Sequence, residues 1–292
     1  MNPAAGRGRI RAALPALRAA FSARGINTTY ETSGPGQEEA LAELAIRAGN
    51  RTITAVGGDG TCGQIANAIL RSGVSCRLAV VAAGTGNDFA KTLGVTGYTP
   101  KQMADLVVGG QSTHMDVGLI EDRYFINSCG FGFDASVLEA SNRIRFLKGN
   151  AVYIYSALTQ LFAYPGTEVS VTGVPGVEHG QMLMVTLSIG RFLGGAFKIA
   201  PNASVLDGKL DVCFLRDANV MQRVKLFLGA MRGTHIGMPS VSTAAVEKIA
   251  LTFPSNPSME LDGELRVAKS RTVELQCIPR ALSVVAAPGA IV

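Results

Sequence analysis

The residues best suited to chemistry stand where apolar runs break into glycine. Gly57-Gly58-Asp59-Gly60-Thr61 ends the run Thr52-Ile53-Thr54-Ala55-Val56, and Gly84-Thr85-Gly86-Asn87-Asp88 ends Leu78-Ala79-Val80-Val81-Ala82-Ala83. So many glycines let a backbone approach a ligand closely and turn its N–H groups toward phosphate oxygens. Beyond Thr61, the residues Ile65, Ala66, Ile69 and Leu70 recur at helical offsets, placing the first turn between a strand's carboxyl end and a helix amino terminus. There, free N–H groups and the helix dipole favour an anion. Asp59 can then meet a metal or polarise an acceptor; the plainer alternative is a strand-to-helix turn with Asp59 as its cap. No GxxxxGK followed by Ser or Thr occurs and neither turn reads GxGxxG, which disfavours P-loop and Rossmann dinucleotide sites. Cys62 reads as a small apolar residue in preference to a thiol of lowered pKa.

The elements that must position these turns alternate. Asn2-Pro3-Ala4-Ala5-Gly6-Arg7-Gly8 is a small basic turn leading into a helix with Ile10, Leu14, Leu17 and Phe21 at helical spacing. A turn of this kind follows a strand, and only Met1 precedes it, so the natural chain is expected to start upstream. Residues 27–32 are rich in strand formers, and Ser33-Gly34-Pro35-Gly36 separates them from a helix carrying Ala40, Leu41, Leu44 and Ala45. Strand, turn and helix repeat through residue 90, predicting a parallel, helix-covered sheet with its ligand site at the strands' carboxyl ends. From about His114 the texture changes. Strand runs follow one another at 115–120, 124–128, 168–172, 182–189, 210–215, 246–253, 259–261, 272–277 and 282–286, interrupted by helical stretches at 150–162 and 219–231. The fold class is therefore α/β, a parallel-sheet domain at 1–113 followed by a mostly antiparallel, β-rich domain at 114–280, with 281–292 a closing segment able to return to the first.

Composition narrows the partners. The 292 residues are 47% hydrophobic and carry a net charge of +5, which suits nucleotides or an acidic membrane surface. No nucleic-acid partner is expected. Five scattered cysteines without a CxxC pair fit a reducing compartment, and no run nears the ~20 apolar residues of a membrane span. The expected location is cytoplasmic, with membrane association peripheral. His114, His179 and His235 lack ligand spacing and read as structural or surface residues. Arg143, Arg145 and Lys148 around Ile144, Phe146 and Leu147 offer either a basic, apolar face for anionic lipid or a solvated flank. Residues 152–162 read as core before lipid-tail cleft. Exposed edge strands in the second domain permit a homodimer.

Taken together, the motifs resemble the diacylglycerol kinase catalytic-domain family, which includes bacterial lipid kinases and sphingosine kinases. An NPxxG turn stands at Asn2 to Gly6, GGDGT at residues 57–61 and GTxNDFA at 84–90; an alanine-proline turn with Asp207-Gly208 and a late Asp262-Gly263-Glu264 follow in family order. The resemblance implies a nucleotide-binding first domain and a lipid-substrate second domain. It implies an ATP- and Mg2+-dependent lipid kinase that moves the γ-phosphoryl group to a lipid hydroxyl, diacylglycerol first among acceptors. By position it assigns Asn2, Pro3, Ala4, Ala5, Gly6, Thr32, Gly57, Gly58, Asp59, Gly60, Thr61, Cys62, Gly63, Gln64 and Thr85 to ATP. It assigns Ser204, Asp207 and Lys209 to magnesium, Asp207 by its carboxylate and the others by backbone carbonyls. Asp59 and Asp116 join the catalytic magnesium and water network, and Glu264 or Asp262 is the base. From local sequence alone Asp262-Gly263 is a favoured two-residue hairpin turn. Cys62-Gly63-Gln64 stand where the family commonly carries Leu-Asn-Glu after GGDGT. An NAD kinase shares GGDGT and is the alternative, as is a nucleotide- or lipid-binding regulator without turnover.

Overall fold

The computed structural model describes residues 1–144 and 150–291. In chain order these form a short 3-10 stretch (Ala5–Ala12), α1 (Leu14–Ser22), α2 (Glu38–Arg47), β1 (Thr52–Gly57), α3 (Asp59–Ser72), β2 (Arg77–Ala82), α4 (Asp88–Thr92), α5 (Pro100–Gly109) and β3 (Ser112–Ile120). Then come β4 (Arg123–Phe125), β5 (Ser128–Gly132), α6 (Phe133–Arg143), α7 (Asn150–Ala163), β6 (Thr167–Thr172), β7 (His179–Ser188), β8 (Leu210–Arg216) and α8 (Val220–Arg232). The chain closes with β9 (Val241–Val246), β10 (Lys248–Thr252), β11 (Ser258–Leu261), β12 (Glu264–Val267) and β13 (Thr272–Val285). Two compact units emerge, one of Met1–Asp116 with Arg280–Val292 and one of Val117–Pro279.

In the first unit β1 and β2 run parallel from Thr52↔Arg77 to Gly57↔Ala82, and the end of β13 joins β2 in parallel at Ser283 and Val284. Ala55, Val56, Leu78, Ala79, Val80 and Val284 are nearly or fully buried, as expected of strands covered on both faces. Ile10, Leu14, Leu17 and Phe21 are buried as their spacing predicts. Two expectations fail here. α2 buries Ala42, Ala45 and Ile46 and leaves Leu44 53% exposed, because Glu38 in its first turn points inward and sets the helix's rotation. Residues 27–32 form no ladder; the Met1 amino group donates to the Tyr30 carbonyl and Thr32 N–H to the Met1 carbonyl.

The second unit is antiparallel. β13 pairs β10, β10 pairs β6, and β6 pairs the start of β7; the rest of β7 pairs β5, which continues through β11 to β12. On its other edge β7 pairs β8, and β8 pairs β9. α7 and α8 lie on this sheet through one core of Ala157, Leu161, Leu183, Met184, Cys213, Leu215, Leu226, Phe227 and Ala230. The expected strand 124–128 is two, split where the backbone of Ile126 to Ser128 turns its N–H groups to Asp262. The expected strands 272–277 and 282–286 are one, β13, which passes through Arg280 at φ 49. β9, α5 and α6 were not expected. α5 carried a readable start, Thr99-Pro100 with Gln102 completing a capping box, whereas β9 (Val-Ser-Thr-Ala-Ala-Val) has little apolar signal. The basic stretch read at Arg145, Phe146, Leu147 and Lys148 lies outside the described residues; Arg143 pairs with Glu139.

Candidate active site

In the first unit the two glycine turns lie back to back. A Cβ on Gly84 would stand 2.5 Å from the Gly58 Cα, and one on Gly57 2.5 Å from the Thr61 side chain, so glycine is required at this approach. Ala83 N–H donates to the Gly57 carbonyl at 2.9 Å. The second turn is closed by Asn87, at φ 54, whose Oδ1 accepts the Gly84 N–H at 2.7 Å, leaving Thr85 exposed. Asp59 accepts the Phe89 N–H at 2.9 Å. It therefore does cap a helix, but α4 rather than its own, and so ties one turn to the other. Burial, and then the Asp88 carboxylate, push its pKa up to about 6. Lys91 offsets Asp88 at 2.7 Å.

The basic turn arrives at the same place. Gly6, at φ 58, lies so close to the Ala83 carbonyl that a Cβ would fall 2.7 Å from it. Asn2 receives most of the polar contacts. Its N–H donates to the Val56 carbonyl at 2.9 Å, its Nδ2 donates to Glu38 Oε1 at 2.9 Å and Thr61 Oγ1 at 3.2 Å, and its Oδ1 accepts the Ala4 N–H. Pro3, Ala4 and Ala5 continue the turn, while Gly60, Cys62, Gly63 and Gln64 fall in the first turns of α3, with Cys62 only 2% exposed. Thr32 lies beside Met1. A groove of about 700 Å³ is lined chiefly by residues such as Phe21, Thr28, Leu41, Ala45, Ile53 and Val107; it reaches Thr32, Glu38 and Thr61 but not Asn2 or the glycines of the two turns. Glu38 was missed by sequence reasoning, since an acid in a helix's first turn ordinarily answers the dipole. Here it is 7% exposed, and among the described residues its Oε2 has no hydrogen-bond donor.

Asp116 is fully buried and accepts the Arg280 N–H at 2.8 Å, an anchor for the left-handed residue in β13. In the second unit Asp262 and Gly263, at φ 48 and 87, are the two-residue hairpin between β11 and β12. The hairpin reading and the family reading meet in one residue. Asp262 is 4% exposed and its carboxylate accepts the N–H groups of Ile126 at 2.8 Å, Asn127 at 2.8 Å and Ser128 at 3.1 Å. Glu264 keeps 28% of its side-chain surface and pairs with Arg266 at 2.8 Å. Glu260, buried and not foreseen, accepts the Gly263 N–H and reaches Ser128 Oγ. Burial, and then the Glu260 and Asp262 charges, drive the Cys129 thiol well above its ordinary range. Of the histidines, His235 is fully buried with Nε2 at 3.1 Å from the Ile199 carbonyl, His179 meets Glu168 at 2.9 Å, and His114 is exposed.

Around Asp207 the chain folds as two local turns, Ser204 Oγ accepting the Leu206 N–H and Asp207 Oδ1 the Lys209 N–H. Burial, and then the Asp207 charge, raise the Asp211 carboxyl to about 6. Among the described residues no group of three His, Cys, Asp or Glu side chains converges on a metal. Two carboxylates with backbone carbonyls are nonetheless an oxygen donor set, which fits a hard divalent cation.

Comparison with known proteins agrees with this layout. The diacylglycerol kinase catalytic domain profile matches residues 1–120, and that of the YegS C-terminal NAD kinase beta sandwich-like domain matches residues 127–286. A diacylglycerol kinase of Bacillus subtilis (strain 168) is 27% identical over 265 residues, covering 90% of this chain and 88% of that protein. One of Mycobacterium tuberculosis (strain CDC 1551 / Oshkosh) is 28% identical over 299 residues, covering 97% and 92%. The crystal structure of a diacylglycerol kinase from Bacillus anthracis str. Sterne superposes with TM-score 0.75 at 18% identity, covering 99% of this chain and 96% of its own. That likeness is one of fold. With both profiles matched in order, the chain belongs to the diacylglycerol kinase catalytic-domain family and is a lipid kinase.

Proposed function

We propose that the protein transfers the γ-phosphoryl group of ATP to the hydroxyl of a membrane lipid, diacylglycerol first. The observation that carries the reading is the close approach of Gly58 to Gly84, two glycine turns at the ends of parallel strands with Asn2, Thr61 and Glu38 hydrogen-bonded to one another beside them, the kind of backbone that takes phosphate. In this proposal the residues 2–6, Thr32, 57–64 and Thr85 bind the nucleotide, and Glu38 positions Asn2 and Thr61. The lipid hydroxyl oxygen forms the new bond to the γ-phosphorus as the bond to the β–γ bridging oxygen breaks, and ADP leaves. Glu264 takes the hydroxyl proton. Asp262, whose oxygens already accept three backbone N–H groups, holds the hairpin that carries Glu264. Asp59 acts ionised. Magnesium, when bound, would neutralise phosphate charge; Asp207, Asp211 and the carbonyls of Ser204 and Lys209 would hold a structural ion.

The experiment is phosphorylation of a total membrane lipid extract with labelled ATP and magnesium, with products resolved by mass spectrometry and NAD as a separate acceptor. Phosphatidic acid from diacylglycerol is the expected product. Labelled NADP without labelled lipid would overturn the reading. Glu264→Gln should lose at least ~100-fold in kcat with an unchanged melting temperature. Asp262→Ala, which strips the acceptor from three buried N–H groups, should cost about 3 kcal/mol in urea unfolding.

A further inference from the structure

Glu38 stands in the first turn of α2, where an acid ordinarily faces water while it answers the dipole, yet it is only 7% exposed. Its Oε1 accepts the Asn2 Nδ2 at 2.9 Å and the Thr61 hydroxyl at 3.5 Å. Asn2 Nδ2 also reaches Thr61 Oγ1 at 3.2 Å, so the three side chains form one closed set. The other oxygen, Oε2, is buried and has no donor among the described residues. A carboxylate oxygen held away from water without a donor costs free energy that only a bound donor returns. The groove of the first unit reaches Thr32, Glu38 and Thr61, so a molecule entering it meets this carboxylate.

We propose that Glu38 selects the sugar of the nucleotide, its free oxygen accepting a ribose hydroxyl. A phosphate oxygen carries negative charge and is repelled by the carboxylate, so the phosphates belong with the N–H groups of the glycine turns. Glu38 therefore takes a donor. Asn2 opens one of the turns assigned to phosphate and Thr61 ends another, and Glu38 is bonded to both. In a nucleotide the group one link beyond the phosphates is the sugar, and the base lies further out. The ribose is thus the donor-bearing part that comes level with Glu38. A carboxylate bonding a ribose hydroxyl is the device by which the acid of a Rossmann site recognises its cofactor. The inference rests on the proposed use of the glycine turns for phosphate, and it adds a determinant that belongs to none of the five motifs.

The test is isothermal titration calorimetry of the full chain with the magnesium complexes of ATP, 2′-deoxy-ATP and 3′-deoxy-ATP, without lipid. Wild type should bind ATP at least ~10-fold more tightly than one or both deoxy analogues, the loss expected for a hydrogen bond to a charged acceptor. Glu38→Ala should bring that ratio to about one, because the hydroxyl then has no partner to lose. A side chain that only steadied Asn2 and Thr61 would weaken all three nucleotides alike and keep the ratio. Glu38→Gln serves where Glu38→Ala does not fold. Its neutral acceptor should cut the ratio to about 3-fold, a charge-assisted bond being roughly twice as strong as a neutral one. An undiminished ratio in either variant overturns the proposal, as does equal binding of the three nucleotides by wild type, which leaves the phosphate turns standing. Failure to bind any of the three removes the nucleotide reading and this inference with it. Selective binding with no lipid phosphorylated upholds the role of Glu38 and removes only the proposed transfer.

Discussion

Asp59 sets stability against the role proposed for it. Burial, and then the Asp88 carboxylate, raise its carboxyl from the ordinary 3.8 to about 6. Since the folded pKa is the higher one, the folded state holds the proton more tightly. The contribution of this group to stability is present below pH 3.8 and declines as pH rises toward 6. Asp59→Asn keeps an oxygen to accept the Phe89 N–H and removes the buried charge. It should raise stability at pH 7.5 by about 2 kcal/mol and leave stability at pH 3.5 unchanged, which urea unfolding at the two pH values measures. Lipid phosphorylation should meanwhile fall at least ~100-fold, and the wild-type rate should itself fall as pH drops through 6. A polar residue whose removal stabilises the fold is commonly one that function retains.

Among the elements, α8 is held by a cation rather than by apolar contact alone. Arg223, with 10% of its side chain exposed, spans the Ala218, Leu161 and Tyr164 carbonyls and the Asp217 carboxylate. Arg223→Met should cost about 3 kcal/mol in urea unfolding, because it strands acceptors that water reaches poorly. Elements with strong periodicity or a glycine boundary were legible before the structure: α1, α3, α7, α8 and the strands β1, β2, β7 and β8 stand where spacing predicts them. What escaped was set by distant partners. Local pattern gave no sign that Glu38 would turn inward to Asn2 or that Asp262 would draw three N–H groups and break a strand. The proposed site was legible as motifs because each glycine turn is local in sequence. Its supporting carboxylates were not, since hydrogen bonds such as Ile126 N–H to Asp262 span 136 positions.

At the scale of the molecule, the chain leaves its first unit at Asp116 and re-enters at Arg280. Leu282 and Val284 of β13 are fully buried in that unit, and Ala287 N–H donates to the Leu93 carbonyl at 2.9 Å. Val284→Asp, near the chain's end, should therefore speed hydrogen exchange in β1 and β2, some two hundred positions away, before it does so in β7 and β8. An unchanged exchange pattern would contradict the insertion. The same strand bears on synthesis. Domains made in sequence usually fold in sequence, but here residues 117–279 emerge complete while the sheet of β1 and β2 still waits for its third strand. The two glycine turns, which precede the whole of the second unit in the sequence, belong to a sheet that is completed almost last. A nascent chain halted before Arg280 would carry a finished second unit and an unfinished first, and the family's most recognisable motif would be among the last parts of the protein to take its shape.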